Sequence, residues 1–297
     1  LPWRMAGRTE ASLDKGKRMS EATIAREPTA ARNLSGGRLF ILAGLAALGS
    51  LATNIILPAF PEMGADLGAS SRQLALTLSS FFVAFAFGQL LVGPLSDRFG
   101  RKFLVLGGLA TFALGSAMCA LAGDLTFLIV GRVVQALGAC AASVLSRAIA
   151  RDLYSGDALA RALALIMVAM AASPGFSPLI GDGVNGVMGW QVIFLAVGAF
   201  AVLLAKLYAS SLGETHPAER RAPLSLVAVA AAYARLASDA RFIFPALAVS
   251  LIIGALYTFF AAAPSVLINE LQLTSLQLAL YFAATVIIVF AAGYAAP

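Results

Sequence analysis

Charge is what this sequence has least of. Asp, Glu, Lys and Arg make up 12% of its 297 residues, against about 25% in ordinary soluble domains, which excludes a soluble globular chain. There are only two cysteines, Cys119 and Cys140. Both fall inside apolar runs, with neither a disulfide framework nor metal-ligand spacing, so no metal site is expected. The single histidine, His216, lies in a polar stretch, which argues against His-dependent metal or catalytic chemistry. No nucleophile–base pair falls in any apolar run. The chain therefore does not read as an enzyme, and no cofactor is expected. Acids are also missing from the depths of the apolar runs, leaving no buried carboxylate to carry a proton.

What fills the sequence instead is apolar: 60% hydrophobic residues and a mean hydropathy of +0.87. Crossing a bilayer takes about 20 apolar residues as helix, and the chain divides into eight such runs. They cover about 38–60, 73–95, 103–122, 125–147, 162–184, 190–212, 242–266 and 278–296. The expected fold class is an all-α polytopic membrane protein. Residues 1–37 read as a disordered cytoplasmic tail with no signal-peptide core, and Met19 is the expected biological start. An acidic loop with Glu62 and Asp66 follows span 1, and a loop from Arg147 to Arg161 follows span 4. The central connection, 213–241, includes a weak apolar helix at 224–236 that reads as lying along the membrane surface.

Basic residues fix the topology. Except for Arg72 and Arg132, every Lys and Arg falls in the tail with Arg38, in the 2–3, 4–5 and 6–7 connections, or at the end of span 6. Short loops rich in Lys and Arg stay on the cytoplasmic side, so the N-terminus and the central loop are placed there. The net charge of +6 then reflects topology and requires no nucleic-acid partner. Six spans, a long basic connection and further spans form the layout of a two-half transporter. The division is a first half at 38–212, the connection at 213–241 and an incomplete second half at 242–297.

The most restrictive stretch joins spans 2 and 3: Gly93-Pro94-Leu95-Ser96-Asp97-Arg98-Phe99-Gly100-Arg101-Lys102. A hinge this short makes its spans antiparallel neighbours. Gly93 can admit a neighbouring helix to its backbone, and Gly100 can take the positive φ that turns the chain. Asp97 can bond helix-end amides or a cation, with Arg98, Arg101 and Lys102 as candidates. A basic loop that only sets topology is the plainer reading. The spacing G-x-x-x-D-R-x-G-R-K resembles the loop between helices 2 and 3 of the major facilitator superfamily. That resemblance implies a conformational latch at Gly93, Asp97, Arg98, Gly100, Arg101 and Lys102.

Three further stretches extend the resemblance. Arg132 begins Arg132-Val133-Val134-Gln135-Ala136-Leu137-Gly138, similar to the R-x-x-Q-G/A-x-G pattern of span 4 that the superfamily associates with proton coupling. Arg132 and Gln135 share a helix face. A cation within a span costs about 2.5–3.5 kcal/mol on insertion scales. Arg132 therefore faces a cavity or partner, or else snorkels to the nearer membrane surface. Span 5 carries Ser173-Pro174-Gly175-Phe176-Ser177-Pro178-Leu179-Ile180-Gly181-Asp182-Gly183. It resembles the antiporter motif of drug exporters in the form found in the bicyclomycin/chloramphenicol resistance type, with Pro174, Pro178, Gly181 and Asp182 as its residues. Asp182 departs from the usual glycine and reads as an exposed helix end. Span 1 ends in Asn54-Ile55-Ile56-Leu57-Pro58-Ala59-Phe60-Pro61, similar to the D-x-Y-L-P-A-x-P run of the same exporters. Asn54 stands where the proton-carrying aspartate is usual, and an amide does not titrate.

The resemblance covers about 38–297. It implies a monomeric, multi-pass exporter in the inner (plasma) membrane, moving small amphipathic drugs by alternating access in exchange for protons. The candidate cavity residues are Asn54, Gln89, Arg132, Gln135 and Tyr257. Because a second six-helix half needs about four more spans, at about 20 residues each, the chain reads as truncated. Two alternatives stay open: an inactive membrane remnant, favoured by Asn54, and uptake of a sugar or metabolite, disfavoured by the span 5 prolines.

Overall fold

The computed structural model describes residues 35–221 and 225–269, with Gln277, Tyr281 and Ala284. Nearly all of this is helix. Helix α1 is Gly36–Asn54, followed by a 3-10 turn at Leu57–Ala59 and α2 at Phe60–Leu67. Five long helices come next: α3 Ser71–Phe99, α4 Arg101–Ala120, α5 Leu125–Leu153, α6 Gly156–Met188 and α7 Trp190–Ser211. Beyond the central connection lie α8, Leu226–Ser238, and α9, Ala240–Asn269.

Among the described residues six units are long and apolar enough to cross a membrane, α1 with α2 counting as one; α8 and the start of α9, bent by 79° at their junction, make a seventh if taken as one span. Of the expected eighth span only Tyr281 and Ala284 are described, and the tail 1–34 lies outside the described residues.

The junctions are tighter than the sequence suggests. Asp97 and Arg98 lie in the last turn of α3, and Arg101 and Lys102 in the first turn of α4, so Gly100 alone separates the helices. Its φ of 91° is one that L side chains rarely adopt. The expected loop from Arg147 to Arg161 is likewise helical at both ends, leaving only Tyr154 and Ser155 between α5 and α6. The expected acidic loop is α2: Pro61 presets the helical φ in its first turn, and Gly68, in the left-handed conformation, ends it. Ser70 and Gln73 form a capping box at the start of α3. Asp124 caps α5 by accepting the Phe127 N–H at 2.8 Å.

Helix α5 is the centre of the bundle, packed on α1, α3, α4 and α6. Glycine makes its contact with α4 possible. Gly108 and Gly115 on α4, and Gly131 and Gly138 on α5, recur at seven-residue spacing, which keeps each pair on one helix face. A methyl at Gly138 would overlap the backbone of Phe112, and one at Gly115 the backbone of Gln135. In a bilayer, where helix association draws on close packing, small residues at the seam supply the contact. On α3 it is Gly88 that meets α5, against Cys140, while among the described residues nothing lies within 4 Å of a methyl placed at Gly93.

Candidate functional site

Two polar clusters and one proline-broken contact draw together most of the residues singled out in the sequence. The first cluster surrounds Gly100. Arg101 is buried, an expensive state for a guanidinium unless it is paired. Its Nη1 donates to Asp97 Oδ1 at 2.8 Å and also to the Ser96 hydroxyl, and its Nε donates to Asp152 Oδ2 at 3.2 Å. One cation thus ties the end of α3, the start of α4 and the end of α5. Arg98 instead lies over the Phe99 ring, 5.4 Å from its centroid, and Lys102 projects to the exterior.

Glu214, from the central connection, completes this cluster. Gly100 has no side chain to cap α4, so the first amides of that helix need another acceptor. Glu214 provides it. Its Oε1 accepts the Arg101 N–H at 2.9 Å, and its Oε2 accepts the Lys102 N–H at 3.3 Å. The same carboxylate accepts the His216 N–H at 2.9 Å and lies 3.6 Å from Arg221 Nη2. Partial burial works to raise its pKa. The three amide donors and Arg221 outweigh that and hold it below the usual carboxylate value. Thr215 adds a bond to Asp152 Oδ2 at 3.1 Å.

The second cluster is centred on Arg132, which is 0% exposed. Its guanidinium does not reach a membrane surface. Nη1 donates to the Ala52 carbonyl at 3.1 Å and to Gln135 Oε1 at 2.5 Å, and Nε lies 3.5 Å from the Thr77 carbonyl. Phe81 stacks beneath it, 4.3 Å from ring centroid to Cζ. Gln135 passes the connection on by donating to Ser116 Oγ at 2.8 Å. Helices α1, α3, α4 and α5 therefore meet at one buried cation, with no carboxylate bonded to it among the described residues. Nη2 has no hydrogen-bond partner among the described residues.

The third feature is the contact of α6 with the broken end of α1. Pro58 cannot donate an N–H, and α1 stops at Asn54. The Asn54 amide turns back to donate to the Ser50 carbonyl at 2.7 Å. Gly181 then lies directly against the Ile55 carbonyl, with no room for a side chain. Pro174 and Pro178 remain inside the 33-residue helix α6, and Asp182, one position after the contact, is exposed.

Gln89 is half-buried on α3, apart from the Arg132 contacts. The backbone of Tyr257 lies in α9, and its side chain is outside the described residues. Sequence reasoning missed Asp152 and Glu214 as partners of Arg101. The available signal was that a glycine N-cap with two cations after it requires an acceptor from elsewhere. It also missed Tyr233, whose hydroxyl donates to the Leu90 carbonyl at 2.6 Å. Pro94, four residues on, leaves that carbonyl without its helical donor, so a substitute was to be expected.

These features define a polytopic helical membrane protein whose spans are joined by a charged junction and a buried arginine. The chain belongs to the major facilitator superfamily, with residues 42–297 matching the family described by that name. It is 37% identical over 229 residues to the uncharacterized MFS-type transporter YdgK of Bacillus subtilis, covering 76% of this chain and 57% of that one. It is 32% identical over 225 residues to the bicyclomycin resistance protein homolog of Haemophilus influenzae, covering 76% and 56%. The chain thus spans about half the length of these curated relatives. Its fold matches the crystal structure of the human organic anion transporter MFSD10, with a TM-score of 0.62 at 21% identity, covering 84% of this chain and 69% of that one.

Proposed function

We propose that the protein exports small amphipathic drugs by alternating access. The observation that carries this reading is the seat of Gly181 on the Ile55 carbonyl, within a span whose Pro174 and Pro178 resemble the motif of drug exporters. Similarity to a bicyclomycin resistance protein homolog supports the same cargo class. In this reading residues 38–212 form the first half, 213–241 connect it to the second, and the tail and connection face the cytoplasm. The junction of Gly93, Asp97, Arg98, Gly100, Arg101 and Lys102 acts as the latch, released when Arg101 exchanges partners. Asn54, Gln89, Gln135 and Tyr257 are assigned to the cavity, and Arg132 fixes the helices around it.

Asn54 favours a second reading of the driving force. Its amide donates to its own helix and does not titrate, so a proton, where one is exchanged, is carried elsewhere. The test is expression of the full-length gene product in bacteria lacking their own exporters, measuring bicyclomycin and chloramphenicol accumulation with and without a proton gradient. Lower accumulation that collapses with the gradient supports proton-driven export. Lower accumulation that persists without it supports export with another driving force. Unchanged accumulation of both drugs refutes the proposed cargo.

A further inference from the structure

The outer seam between α4 and α7 holds a groove of about 330 Å3. It lies between Leu106 and Leu109 on α4 and Val202, Ala205 and Ala209 on α7. The helices touch closely farther along, where the Cα of Gly198 faces Ser116. Towards the Gly100 end, alanines on α7 leave a channel between larger side chains. One residue in this apolar lining is charged. Lys206 is exposed, and no ion pair or hydrogen bond engages its ammonium among the described residues.

Lys206 lies five residues before Ser211, the end of α7, or about 7.5 Å at 1.5 Å per residue. A lysine stem at that depth lies along apolar surface and delivers its ammonium to the headgroup level. Lys102, also exposed, is one turn before Leu106 on the same face of α4, so a second cation stands above the groove. An apolar channel with cations at its headgroup end matches a molecule that is apolar along its length and anionic at one end.

We propose that this groove binds an anionic phospholipid, with an acyl chain between α4 and α7 and the phosphate paired with Lys206. The groove shares no residue with the Arg132 cluster or the α1–α6 contact, and the inference does not depend on the transport reading. The test is native mass spectrometry of the delipidated chain in detergent, titrated with phosphatidylglycerol or phosphatidylcholine of identical acyl chains. The expected result is retention of phosphatidylglycerol about fivefold stronger than of phosphatidylcholine, with Lys206→Gln removing that preference. Ala205→Phe, which fills the channel and keeps the lysine, should weaken retention of both lipids. Lys206→Arg should preserve the preference and serves as the check if the glutamine variant folds poorly. Equal retention of the two lipids, or an unchanged preference in Lys206→Gln, overturns the proposal. Equal competition by soluble glycerol phosphate also overturns it, since that would describe an ion site without the groove.

Discussion

Glu214 and Arg101 are separated by 113 positions in sequence, yet the carboxylate of one accepts the backbone N–H of the other at 2.9 Å. The central connection therefore supplies the cap that Gly100 lacks, at the same turn where Arg101 bonds Asp97 and Asp152. Turning the chain with glycine and capping the next helix from a distant segment ties the geometry of the junction to the position of the connection.

Replacing Glu214 by Ala should remove this cap and lower stability by about 1 kcal/mol, the usual scale for losing an N-cap. Glu214→Gln should fall between, because its amide oxygen still accepts an N–H while the charge is lost. Hydrogen exchange at the Arg101 and Lys102 amides is the measurement. Unaltered protection in Glu214→Ala would mean that water or another group caps α4 in solution.

The same carboxylate has a predictable pH dependence. Its folded pKa lies below the ordinary value, so its contribution is fully present above the unfolded pKa of about 4.3. That contribution is lost as pH falls through the lower, folded value. Subtracting the Glu214→Gln stability from wild type across acid pH isolates the term. The difference should be flat from neutral pH to about 4.3 and shrink below it. A difference that grows on acidification would contradict the assigned sign.

Arg132 Nη1 donates to both the Ala52 carbonyl and Gln135, Nε points to the Thr77 carbonyl, and Phe81 lies beneath the plane. Lysine keeps the charge but lacks the planar group that turns a second nitrogen to Thr77 and stacks on a ring. Arg132→Lys should therefore cost about 1.5–3 kcal/mol, the range for a hydrogen bond to a charged group. Thermal unfolding in detergent measures the loss. A midpoint equal to wild type would show that the charge alone matters, and Arg132→Met would then be the more damaging change.

Trp190 Nε1 donates to Asp66 Oδ2 at 2.8 Å, pinning α2 to the start of α7 at the membrane face opposite Gly100. Trp190→Phe should preserve much of the packing, lose this bond, and lower stability by about 1.5–3 kcal/mol, the carboxylate being charged. If adding Asp66→Asn to the Trp190→Phe variant costs nothing more, the two residues act as a pair. An additive loss would give Asp66 a separate partner.

Much of this architecture is legible from sequence, and the reason is specific. A bilayer penalises unpaired backbone so heavily that long apolar runs have little choice but helix, and Gly100 marks its own junction. The partners of Arg101 are a different matter. Asp97 is visible because it is four residues away in the same short junction, whereas Asp152 and Glu214 arrive through folding from far along the chain. Arg132 shows the same division. Its helical spacing from Gln135 is readable, but the choice between a snorkelling and a buried cation depends on whether Ala52 and Phe81 come within reach. A glycine records only permission for close approach: among the described residues Gly181 and Gly138 use it, and nothing lies within 4 Å of the Gly93 position.

Two glycines two residues apart on α6 make that distinction measurable. A methyl at Gly181 would overlap the Ile55 carbonyl, and backbone cannot rotate aside as a side chain can. One at Gly183 meets nothing within 4 Å among the described residues. Gly181→Ala should therefore force α6 away from the broken end of α1, costing about 1–3 kcal/mol or more. Gly183→Ala should be neutral or stabilising by up to about 1 kcal/mol, since alanine is the better helix former. The two changes are chemically identical and lie in the same helix, so helix propensity cancels from their comparison. Paired thermal midpoints in the same detergent give the answer. If both substitutions raise the midpoint equally, α6 does not press on Ile55 in the folded protein, and the role given to the span 5 motif loses its physical basis.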